Sequence, residues 1–104
     1  MAKAKAGQPR PDGEVGLTYF FLITMTEKGK QRTNADIASD RTSTNAEVQK
    51  LGGRCALYHS RGAAYDYVSV MTNLSTADAI RMAEFLERSG KRIVKLLPGV
   101  PVFK

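Results

Sequence analysis

A chain of 104 residues, 42% hydrophobic and 25% charged, makes one globular domain with a modest core. Its net charge of +6 and isoelectric point near 9.7 raise a nucleic-acid partner, but the cations form no long run and no basic–aromatic alternation, which argues against one. The single cysteine rules out an intramolecular disulfide, and with the single histidine it cannot by itself close a zinc site.

Residues 1–13, MAKAKAGQPRPDG, mix Gly, Pro and charge without periodicity. They predict a disordered basic arm, with a docking arm as the alternative. The folded domain is expected over 14–97. Val15 to Met25 is apolar-rich but broken by Gly16, Thr18 and Thr24. It is too short and too polar for a membrane span or a secretory signal, so the expected setting is a reducing cytoplasm.

Leu17 to Met25 reads as a strand rich in β-branched and aromatic residues and apolar on both faces. Helices can cover only one face of a single sheet. A second subunit is therefore expected over the Tyr/Phe face, with Tyr19 and Phe21 buried in that contact. From about Lys30 to Lys50 the pattern is a weak helix. Its stripe of Ile37, Arg41, Thr44, Val48 and Leu51 is thin in apolar mass, and a break is expected near Ser39 or Ser43. Gly52-Gly53 caps its end.

Arg54 to Ser60 is the second strand, Arg61-Gly62-Ala63 a turn, and Tyr65 to Met71 the third strand. Ser75 with Asp78 three residues on starts a second helix, whose apolar face is Ala79, Ile80, Ala83 and Leu86. Ser89-Gly90 ends it. Arg92 to Leu97 is the fourth strand, and Pro98, Gly99 and Pro101 stop further sheet, leaving 98–104 as an extended tail. The order β-α-β-β-α-β predicts an α+β, ferredoxin-like fold: four antiparallel strands with two helices on one face.

Several of these features together resemble the GYD-domain family of small bacterial ferredoxin-like proteins. They are Thr24-Met25-Thr26 followed by Glu27-Lys28-Gly29, then Gly52-Gly53, Leu57-Tyr58 and the strand opening Tyr65-Asp66-Tyr67-Val68. Two alanines separate Gly62 from Tyr65, where the family has Gly-Tyr-Asp or one intervening residue. The resemblance implies a dimeric α+β barrel and no established activity.

Candidate site residues cluster at one sheet end. Alternation sets Tyr65, Tyr67, Ser69 and Met71 on one face and Asp66, Val68 and Val70 on the other. Asp66 is expected toward the helix layer, either as a pocket carboxylate or as an acceptor of backbone N–H groups. His59, placed by the hairpin near Tyr65, is the natural acid–base group. Arg61 is a solvated turn residue or an anion contact, and Cys55 is packing. Thr24 and Thr26 either hold an anion beside the long helix or cap it. Tyr65, Asp66, His59, Thr24 and Thr26 are thus the expected ligand-binding residues, with no cofactor, metal or haem. The expected function is an oligomeric accessory or small-ligand-binding module. Its partners are further copies of itself and a protein held by the tail. The alternative is a cofactor-free enzyme of the dimeric α+β barrel type acting on a small aromatic or keto compound, with His59 or Asp66 as base and Tyr65 as orienting donor.

Overall fold

The structure is a computed structural model that describes residues 17–62 and 64–99. The expected arm over 1–13 and the end of the tail, 100–104, lie outside these. The elements run β1 (Leu17–Met25), α1 (Glu27–Lys30), α2 (Asn34–Lys50), β2 (Arg54–His59), β3 (Tyr67–Leu74), α3 (Thr76–Glu87) and β4 (Arg92–Gly99). The sheet order is β2-β3-β1-β4, with every neighbouring pair antiparallel. This is the ferredoxin-like α+β arrangement, with α2 and α3 on one face of the sheet.

Strand alternation sorts residues into two faces. On the helix side, cross-strand rows run Leu57–Ser69–Phe21–Leu96 and His59–Tyr67–Ile23–Val94, with Met25 opposite Arg92. On the other side the rows are Ala56–Val70–Phe20–Leu97 and Tyr58–Val68–Leu22–Lys95. Tyr19 and Phe21 are therefore buried by this chain's own helices, not by a neighbour. Phe21 is 0% exposed, and the Tyr19 hydroxyl shares a 2.7 Å hydrogen bond with Thr76 Oγ1 at the start of α3. The face left open is the Phe20/Leu22 face. No helix of the described residues lies on it, and Tyr58 (58%), Ile93 (59%) and Leu97 (40%) are exposed on it.

The two helices fill the inner face unequally. α3 starts at Ser75, whose side chain accepts the Asp78 N–H, and it buries Ala79, Met82 and Leu86. α2 is capped at both ends: Thr33 and Asp36 form a capping box. At the C-terminus Gly52, at φ +82°, allows Gly52 and Gly53 to return their N–H groups to Gln49 and Val48 in a Schellman motif. Yet α2 buries only Val48. Its inward stripe above that residue is Ile37, Asp40 and Thr44, with the exposed Arg41 beside it, too polar to make a dry contact. The core consequently concentrates under α3, around Phe21, Met71, Leu74 and Met82. Truncating Phe21 to Ala there costs about 3–5 kcal/mol.

Four boundaries differ from the sequence reading. The stretch after β1 forms a separate short helix α1, because Thr26 caps it and Gly29 passes under the Lys91 carbonyl, where a Cβ would come within 2.1 Å. α2 runs without a break past Ser39 and Ser43; the hydroxyls of Thr42 and Thr44 bond back to the carbonyls of Ala38 and Asp40 without interrupting it. β3 is shifted to Tyr67–Leu74, leaving Tyr65 and Asp66 ahead of the strand. β4 continues through Pro98 to Gly99, tolerated because β4 is an edge strand that needs no N–H from proline on its outer side.

Candidate functional site

The weak packing of α2 leaves a cavity of about 380 Å³ between that helix and the sheet. Its floor is Ile23, Tyr67 and Ser69, its roof is Ile37, Asp40 and Thr44, and Leu57 and His59 lie on the β2 side. A smaller space of about 190 Å³ adjoins it, sharing Met25, Arg32, His59 and Tyr67 and reaching Asp66 and Lys30.

An ion cluster forms one wall. Asp40 Oδ2 accepts from Arg32 Nη1 and from Arg92 Nη2, both at 2.8 Å. The arginine side chains are only 8% and 12% exposed, and Asp40 is 25% exposed. Further bonds fix both guanidiniums: Arg32 Nε donates to the Gly29 carbonyl at 3.0 Å, and Arg92 Nη1 to the Leu86 carbonyl at 3.2 Å. Burial disfavours the charged form of Asp40. The hydrogen bond from Arg32 and the fields of Arg92, Lys91 and Arg32 outweigh that and hold its carboxyl below the usual carboxylate range. The cluster thus carries two buried cations against one carboxylate. Arg41 lines the same cavity, and its side chain makes no ion pair or hydrogen bond among the described residues.

The expected site residues are dispersed by the fold. His59 lines both spaces, but its cross-strand partner is Tyr67, not Tyr65. The rings meet edge to face at 5.1 Å. The register moves because β3 starts two residues later than expected. Tyr65 lines neither space. Val68 and Val70 point to the open face. Asp66, outside the strand, turns instead to the end of β1, where its Oδ2 accepts the Met25 N–H at 2.7 Å, and its own N–H donates to Ile23 O at 2.8 Å. It is therefore a backbone acceptor on the rim of the smaller space. Thr24 lies on the open face opposite Ile93, across the sheet from the cavity. Thr26 caps α1: its hydroxyl accepts the Gly29 N–H at 3.2 Å and donates to Gly90 O at 2.7 Å. Cys55 lines the cavity with its Sγ 3.1 Å from Ser69 Oγ.

Sequence reasoning passed over Arg32, Asp40 and Arg92. Arg92 had a readable signal, since it alternates with Val94 and Leu96 and so shares their inward face. Asp40 sits on the helical stripe of Ile37 and Thr44. Among the described residues no group of three or more His, Cys, Asp or Glu is placed to hold a metal ion. No helix among them is long and apolar enough to cross a membrane. No family profile, curated protein or solved structure matches this chain.

Proposed function

We propose that the protein is a homo-oligomeric module that holds a small ligand between α2 and the sheet. The cavity carries this reading. Its volume falls in the ordinary range of small-molecule sites, roughly 300–1,000 Å³, and its walls join apolar side chains to a few fixed polar ones. The ferredoxin-like strand order and the Tyr65-Asp66-Tyr67-Val68 segment support kinship with GYD-domain proteins, as the sequence resemblance implies.

The open face supports self-pairing. Phe20, Leu22, Val68 and Val70 occupy the two central strands, while Arg54 and Lys95 sit on the edge strands β2 and β4. Four strands about 4.8 Å apart and about eight residues long give a footprint of roughly 500 Å². That approaches the roughly 600 Å² per partner at the small end of specific interfaces. An apolar centre with a charged rim suits an isologous two-fold contact, sheet against sheet. The apolar Pro-Gly-Val-Pro-Val-Phe sequence of the expected 98–104 tail supports a further contact with a neighbouring subunit or partner protein. A reducing, cytoplasmic setting suits the free thiol of Cys55.

Binding is favoured over acid–base turnover. Asp66, one of two candidate bases, is held by the Met25 N–H, and Tyr65 lies away from the cavity. Nucleic-acid binding is disfavoured because Arg32 and Arg92 turn inward to Asp40. Native mass spectrometry of protein purified from its own cells tests the reading. The expected species is two or more copies carrying a small adduct that is released on unfolding. A single bare chain at micromolar concentration contradicts it.

A further inference from the structure

The geometry points to a small organic oxyanion, a carboxylate or phosphate ester with an apolar body, as the ligand of the α2 cavity; this rests on that cavity being a ligand site. The charge balance of the cavity favours an anion. Arg32, Arg41 and Arg92 line the cavity, with Asp40 the one carboxylate among its described lining residues. Asp40 Oδ2 already accepts from both buried guanidiniums. Asp66, the acid of the adjoining space, is bonded to Met25 N and makes no ion pair with Arg32 or Arg92 among the described residues. Two arginines this buried are costly unless neutralised, and one carboxylate neutralises only one of them.

Side-chain donors also remain available. The side chains of Arg41, His59 and Tyr67 make no hydrogen bond among the described residues, although all three line the cavity. A guanidinium presents paired N–H donors that match two oxygens of a carboxylate or phosphate. Arg41 lies one residue from Asp40 on α2, beside the cluster, so an oxyanion can be held there without breaking the Asp40 bonds. The rest of the wall suits an apolar body. Ile23, Ile37, Leu57 and Leu86 offer apolar surface, and the Tyr67 ring offers an edge or face for a flat group. A wholly polar anion such as free phosphate would leave that surface wet.

The test is an amide chemical-shift titration of the full chain with benzoate, phenyl phosphate and neutral benzamide. Benzoate or phenyl phosphate should give saturable shifts at Ile23, Tyr67 and Arg92, and the tighter of the two names the oxyanion. Benzamide should bind roughly tenfold more weakly. Arg41→Gln, an exposed substitution that leaves the Asp40 cluster intact, should weaken the preferred anion about fivefold. Equal binding of benzamide, or unchanged anion affinity in Arg41→Gln, overturns the oxyanion assignment while the cavity stays a ligand site. Absence of any shift at the cavity for all three probes overturns both.

Discussion

Replacing Asp40 with Asn tests whether the cluster under α2 is an ion triad or a chance contact. In the native chain one carboxylate oxygen accepts two bonds of 2.8 Å from guanidiniums that are 8% and 12% exposed. Breaking a fully buried pair costs about 3–5 kcal/mol because the surviving charge is stranded. Here Asp40 borders the cavity and is 25% exposed, so water can reach the stranded cations. The amide oxygen also keeps one acceptor. Both effects bring the expected loss to about 2 kcal/mol near neutral pH. In urea, at one fixed protein concentration, that shifts the unfolding midpoint down by about 1 M. Acid supplies the control. The Asp40 carboxyl is held below its usual range in the folded chain. Its contribution is therefore complete above the unfolded carboxyl value of about 3.9 and is lost as pH falls through the lower folded value. The gap between native chain and variant should close over that acid window. A gap that stays constant down to about pH 2.5, or one below about 0.5 kcal/mol near neutrality, would falsify the triad.

Leu22→Glu places a charge in the middle of the open face. Sedimentation should then report one copy where the native chain gives two, with an unchanged circular dichroism spectrum; a native chain that is already single-copy sinks the self-pairing proposal. Asp66→Ala strands the Met25 N–H and should cost about 1–3 kcal/mol in urea unfolding while leaving probe affinity within about twofold. A large loss of affinity with full stability would instead make Asp66 a ligand contact.

Apart from the short α1, the element order was legible because its signals are local. Ser75 with Asp78, Gly52-Gly53, the β-branched and aromatic run of β1 and the alternation in β3 and β4 each act within a few residues. Face assignment in β1 was harder, since Phe20 and Leu22 are as apolar as Tyr19 and Phe21. The separating signal lies in their company: Thr18 and Thr24 share the Phe20 face, whereas Ile23 and Met25 share the Tyr19 face. The thin apolar stripe of α2 was visible in the sequence, but its consequence was not, because whether a polar stripe faces water or roofs a cavity depends on what the sheet sets beneath it. Arg32 and Arg92 looked like scattered surface charge. They meet only because β4 pairs with β1 and brings Arg92 opposite Met25, near the end of the turn that carries Arg32. His59 was placed at the correct sheet end, and a two-residue shift in the start of β3 changed its partner.

The claim on which the account stands is that the space under α2 is kept open for a ligand rather than left by loose packing. Thr44 roofs that space, and among the described residues its hydroxyl bonds only to the Asp40 carbonyl of its own helix at 2.8 Å; Thr42 makes the same kind of bond to Ala38 at 3.1 Å but is exposed. Thr44→Leu should fill the void and stabilise the chain by about 1 kcal/mol more than Thr42→Leu, which isolates helix propensity. The same substitution should weaken benzoate binding roughly tenfold relative to Thr42→Leu. Identical stability and identical probe affinity in the two variants would contradict the account.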